Sequence, residues 1–158
     1  QKSNAELNLQ IDAYLPSDYI SDERQKIEIY KRIREIDSRV NYENLQDELI
    51  DRFGEYPDVV AYLLEIGLAK SYLDQAFVKS VERQQNAVNI HFEKISQQLY
   101  LTQDYFEALS MTNLKARIGE KNGLIEVIFD VKNKKDYEIL EGLVNFGEKM
   151  LEIKQRKV

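Results

Sequence analysis

An α+β fold is predicted: an N-terminal strand, a three-helix segment, antiparallel β-hairpins and a C-terminal helix in one compact domain. Three observations predict it. Residues 7–13 and 77–92 alternate polar and apolar side chains with the period of a strand, whereas residues 22–75 and 135–157 repeat theirs every three to four positions. An Asn122-Gly123 pair lies between two further alternating runs, as in a tight hairpin. A chain of 158 residues with 43% hydrophobic content can bury one sizeable core.

Leu7, Leu9, Ile11 and Ala13 alternate with Asn8, Gln10, Asp12 and Tyr14, predicting a strand with one buried face that Pro16 ends. Residues 1–6 read as a disordered or linker remnant and 7–158 as a single domain. The missing initiator Met suggests a piece of a longer polypeptide. Ser21 or Asp22 then caps a first helix, with Gln25 placed to close a capping box on Asp22 and Ile29, Ile33, Ile36 and Val40 as its apolar seam. Its cations Arg24, Lys26, Lys31, Arg32 and Arg34 interleave with Glu23, Glu28 and Glu35, which gives a solvated face.

A second helix follows Asn41. Tyr42, Leu45, Leu49 and Phe53 form its apolar stripe, and Gly54 and Pro57 stop it. At about 100° per residue, Glu43, Asp47, Glu48 and Asp51 fall on the opposite side, with only Arg52, four residues past Glu48, to relieve their mutual repulsion. Two readings of that acidic face stand: a solvated surface, or a docking patch for a basic partner. The second requires the carboxylates to be free of cations from this same chain. Pro57 opens a third helix to about Gln75, apolar around most of its circumference and so the central core helix, with Gly67 and Ala69 admitting a close neighbour. Residues 77–83 and 88–92 form a hairpin, Thr102 caps a short helix holding Phe106 and Leu109, and residues 115–119 and 124–131 form a second hairpin. The last helix buries Leu140, Leu143, Val144, Gly147, Met150 and Leu151, and its terminal Lys154, Arg156 and Lys157 complement the helix dipole.

Charge and composition exclude several function classes. A net charge of −6 argues against direct nucleic-acid binding, which draws on clustered cations. Zero cysteines remove disulfide, thiolate and Cys-ligated zinc chemistry and suit a reducing cytoplasm. No apolar run approaches the ~20 residues of a membrane span. There is no Gly-rich phosphate loop, so ATP binding is not expected, and neither is any cofactor or metal. His91, the one histidine, points away from Val88, Ile90 and Phe92 with no acid near it in sequence, and reads as structural or merely exposed. Glu48 and Asp51 lack a convergent third ligand for a hard cation. Tyr30, Tyr62 and Tyr72 lie on or near apolar stripes, where packing is the ordinary role. No catalytic residue is assigned.

The run Ile11-Asp12-Ala13-Tyr14-Leu15-Pro16, followed by Tyr19-Ile20, Asp22-Glu23-Arg24-Gln25-Lys26 and Tyr30-Lys31-Arg32, resembles the opening of the C-terminal domain of bacterial transcription-repair coupling factors (Mfd). Glu48-Leu49-Ile50-Asp51-Arg52-Phe53-Gly54 with Pro57 is similar to a second signature of that domain. The resemblance is strong over residues 9–64, and beyond Phe77 it is one of general pattern. It implies a non-catalytic regulatory module of an ATP-dependent DNA translocase that displaces stalled RNA polymerase and recruits nucleotide-excision repair in the bacterial cytoplasm. It further implies docking on the UvrB-homology module of the same parent, which masks that module's UvrA-binding surface. Polymerase and DNA then bind through other parent domains. Glu48 and Asp51 match family positions facing basic residues of that module, and Asp47 and Arg52 beside them join the expected partner-binding set. The alternative is a docking module that recruits RNA polymerase or a repair factor in trans.

Overall fold

The computed structural model describes residues 1–157. Its elements, in chain order, are β1 (Glu6–Asn8), α1 (Glu23–Arg34), α2 (Arg39–Phe53), α3 (Asp58–Gln75), β2 (Val78–Gln84), β3 (Ala87–Phe92), α4 (Ser96–Leu99), α5 (Thr102–Leu109), β4 (Lys115–Lys121), β5 (Leu124–Asp130) and α6 (Asp136–Arg156). The five strands form one sheet in the order β1-β2-β3-β5-β4, parallel at β1-β2 and antiparallel elsewhere. The predicted α+β class is therefore the observed one, and the fold is layered. Val78, Val81, Val88, Ile90, Phe92, Val127 and Phe129 project from one sheet face into a core shared with α3 and α6. On the other side of α3 lie α1 and α2.

Alternation over residues 7–13 predicts a longer first strand than forms. Only Glu6–Asn8 pairs with β2, because Gln10 takes a left-handed backbone (φ 56°) and turns the chain off the sheet. The extended segment beyond crosses the helices instead, burying Leu15 and Ile20 and donating the Tyr14 N–H to the Val59 carbonyl. Residues ahead of the strand also depart from the expected linker. The Ala5 N–H donates to the Asp74 carboxylate at 2.7 Å, the Ser3 N–H donates to the Asp74 carbonyl, and Ala5 is buried.

Asp22 caps α1 as predicted, accepting from the Arg24 and Gln25 N–H groups at 2.8 and 3.1 Å. The break after Arg34 comes earlier than the apolar seam suggests. Ser38 caps α2 through the Asn41 N–H, so Val40 belongs to α2 and is 70% exposed. The third helix behaves as the central one, with Val60, Leu64, Leu68, Ala69, Tyr72 and Leu73 buried. At Gly67 a Cβ would come within 3.0 Å of Ile33 on α1, and at Gly147 of α6 within 3.0 Å of the Tyr72 Cβ. Both helix crossings depend on the missing side chain.

The short helix α5 forms where predicted, and Leu109 packs against the core. Tyr105 and Ala108 are its buried residues, whereas Phe106 is 58% exposed. Thr102 is exposed and does not cap it. The Asp104 carboxylate reaches back to the Leu101 N–H at 2.7 Å and also takes the Lys157 ammonium at 2.7 Å. The cationic end of α6 thus ties elements together rather than merely facing the helix dipole. Lys154 donates to the Gln75 carbonyl and lies over the Phe77 ring, and Arg156 pairs with Glu107 on α5.

Candidate functional site

Three faces divide the side chains of α2. Tyr42, Leu45, Leu49 and Phe53 pack inward as the spacing predicts, Leu45 and Leu49 fully. Glu43, Asp47, Ile50 and Asp51 are exposed, Ile50 at 45%. Glu48 and Arg52 occupy a third face, turned toward α1.

This third face corrects the expected arrangement. Glu48 is half-buried and its carboxylate accepts from Arg32 of α1 and, at 2.8 Å, from Arg52. Arg52 in turn donates to Glu28 of α1 at 2.9 Å and lies over the Phe53 ring. The four groups alternate in sign, Arg32, Glu48, Arg52, Glu28, and cross-link two helices. Hydrogen bonds from Arg32 first, then Arg52, hold the Glu48 carboxyl below its ordinary value. Glu48 is therefore satisfied within the chain, and so is Arg52. The requirement that the acids be free of internal cations fails for Glu48 and is met by Asp47 and Asp51, which make no ion pair among the described residues. Spacing along one helix could not reveal this, because Arg32 comes from sixteen residues away. The interleaved charges of the first helix were the available signal.

At its N-terminal end α2 is anchored differently. Arg39 grips Glu148 of α6 through two N–H donors at 3.0 and 3.2 Å, and the Tyr72 hydroxyl donates to the same carboxylate at 2.9 Å. The Arg39 bonds are the main cause of a lowered Glu148 pKa. Burial, assisted by Glu148, raises Tyr72 to about 12. With both ends fixed, the outward stripe is held on a rigid element.

One polar constellation escapes sequence reading. Pairing of β3 with β5 sets Glu126 directly opposite His91, and the two bond through Nε2 while the Ser80 hydroxyl lies 3.3 Å from Nδ1. The three are neighbours in one cross-strand row, an arrangement that fixes the imidazole. Nearby, Asn89 Oδ1 is buried without a hydrogen-bond partner among the described residues. Among the described residues, no group of three His, Cys, Asp or Glu is placed to hold a metal, and no helix is long and apolar enough to cross a membrane.

The architecture and the α1–α2 signature define the class: a TRCF domain, whose family model matches residues 9–103. The chain belongs to that family, and within it to the C-terminal domains of transcription-repair coupling factors. A crystal structure of the C-terminal domain of transcription-repair coupling factor superposes with a TM-score of 0.97 at 72% identity, covering 99% of this chain and 98% of that one. Transcription-repair-coupling factors of Bacillus subtilis (27% identical over the whole chain) and Staphylococcus epidermidis (31% over 94% of it) are also similar. The chain spans about 13% of the length of those relatives.

Proposed function

We propose that this domain is a non-catalytic regulator of its parent coupling factor, a DNA translocase that links transcription to nucleotide-excision repair. It docks through the outward stripe of α2 on the parent's UvrB-homology module and so masks the surface that UvrA would bind. Family membership supports the reading, and one observation carries it: Asp47 and Asp51 stand exposed and, among the described residues, unpaired on a helix anchored at both ends, with Glu43 and the apolar Ile50 beside them. Glu48 acts one step back. By binding Arg32 and Arg52 it keeps those cations from neutralising the stripe.

Keeping such a clamp ~99% shut takes roughly 2.7 kcal/mol. Two carboxylates meeting arginines at a partly desolvated contact supply that order, at ~1.5 to 3 kcal/mol for each hydrogen-bonded charged group. Tethering in one chain raises the effective concentration, so the contact remains releasable when the motor moves. The test is Asp47→Arg with Asp51→Arg in the parent protein. UvrA affinity is expected to rise while the domain stays folded, and unchanged affinity counts against the clamp. Deleting the domain separates this from recruitment in trans, since a lock then gains a partner and a recruiter loses one.

A further inference from the structure

Helices cover only one face of the sheet, and only one of its edges ends in a strand of any length. The other face carries Ser80, His91, Glu126 and Gly119 in one cross-strand row and Glu82, Asn89, Ile128 and Arg117 in the next. β4 closes the sheet on one side with seven residues, against three in β1. Among the described residues the backbone of β4 bonds only to β5, and no N–H or C=O of residues 115–121 reaches any other segment. In a two-residue hairpin closed by Lys121 and Leu124, alternate pairs exchange hydrogen bonds, which leaves the backbone groups of Ala116, Ile118 and Glu120 directed to the free edge.

Side chains on this edge set its preference. Lys115, Arg117 and Lys121 project to the helix-free side, all exposed and none in an ion pair among the described residues. Between them Gly119 leaves a notch whose walls are Ile128, Glu126 and Arg117, 3.7 to 4.0 Å from where a Cβ would stand. A shallow groove of about 500 Å³ continues from Lys115 and Arg117 across Ile128 to Ala87. Cations along an edge repel a second copy of the same edge, the usual protection against self-pairing. The same cations attract an acidic strand, and the notch and groove give it places for side chains.

We propose that β4 is a second docking site, which takes an extended acidic peptide segment of a partner protein as a sixth strand. Backbone hydrogen bonds to Ala116, Ile118 and Glu120 supply the pairing, and alternate carboxylates of the segment meet Lys115, Arg117 and Lys121. The site is independent of the α2 stripe and of the clamp.

The test uses the whole chain and two fluorescent octapeptides, one alternating Glu with Thr and one alternating Lys with Thr, followed by anisotropy and by amide chemical shifts. The acidic peptide should bind and shift the amides of residues 115–121, with affinity falling as salt rises. The lysine peptide should not bind. Ala116→Pro removes a free-edge donor and leaves the β5 ladder intact, so binding should be lost while the remaining amide spectrum is retained. Lys115→Glu with Arg117→Glu keeps the backbone donors, and should weaken the acidic peptide on the order of tenfold or more and admit the basic one. Equal binding of both peptides, shifts that avoid β4, or full acidic-peptide affinity in the charge-reversed variant overturns the proposal. Binding that survives in a folded Ala116→Pro chain overturns it too.

Discussion

The outward stripe of α2 and the helix-free face of the sheet are the outer surfaces of one layered body, and the stripe is acidic whereas the β4 edge of the sheet is lined by cations, with Glu82, Glu126 and Asp130 elsewhere on the same sheet face. Residues 1–76 hold nine Lys and Arg against sixteen Asp and Glu, and residues 77–158 hold thirteen against twelve. The first part thus carries −7 and the second +1, so the acidity of the chain lies in the helical half. On each surface some charges are consumed internally and some are left over. Glu48 and Arg52 are consumed on α2, and the Glu126 carboxylate is bonded to the His91 imidazole on the sheet. Among the described residues Glu43, Asp47 and Asp51 remain on one, and Lys115, Arg117 and Lys121 on the other, with the acids Glu82 and Asp130 on neighbouring strands. Counting charges along the chain cannot tell consumed from spare.

The largest expected effect comes from parting the layers between the two surfaces. Gly147→Val places a branched side chain where a single Cβ already meets Tyr72 at 3.0 Å and Leu73 at 3.2 Å, atoms of a packed helix crossing. Overpacking of this kind costs about 1 to 3 kcal/mol, and here the upper end is expected. Urea unfolding should show one transition at lower midpoint by circular dichroism and tyrosine fluorescence alike. Separate transitions for helical and sheet signals would show that the surfaces belong to independently stable bodies.

Next in size is the contrast between consumed and spare acids. Glu48→Ala strands Arg32 and Arg52 without their acceptor. Because all three side chains are about one-third exposed, the loss should be about 1 kcal/mol rather than that of a buried pair. Asp51→Ala removes an unpaired surface charge and should stay within about 0.5 kcal/mol of the parent, or stabilise slightly by relieving repulsion. Equal costs for the two in chemical denaturation would mean that the ion network contributes nothing to stability.

Acid should erase the first of these differences. Glu48 and Glu148 are both held below the ordinary carboxyl value of 4.5, by arginine hydrogen bonds in the main. A group depressed in the folded state adds stability that is present above its unfolded pKa and lost as pH falls through the lower folded value. Glu148→Gln should therefore cost a constant amount between pH 6 and 8, with the gap to the parent narrowing below about pH 4.5. A gap that widens in acid contradicts the ion-pair account.

Much of the fold was legible because local signals agreed with tertiary ones. Asp22, Gly54 and Asn122-Gly123 end or turn elements where they should, and both residues of that turn take positive φ. Failures arose where one residue overrode a good pattern: Gln10 broke the alternation of the first strand, and Asp104 displaced Thr102 as the cap of α5. The candidate site was legible by halves. Helical spacing separates core from surface, so it found Asp47 and Asp51. It assigns no partner to a surface charge, so Glu48 looked free until α1 was packed beside it. Strand register was equally hidden, and with it the pairing of His91 and Glu126.

The smallest predicted effect concerns Asn89. Its Oδ1 is buried with no donor, and the side chain stands between Glu82 and Ile128 on a face where every neighbouring row is satisfied or exposed. Stranded acceptors cost free energy that an apolar replacement of similar size does not. Asn89→Leu should then raise stability by about 0.5 to 1 kcal/mol, as branched and apolar side chains suit a pleated surface opposite Ile128. Thermal or urea unfolding would read it. A loss of similar size would show that the amide is paired, through water, and that this row of the sheet face is satisfied after all.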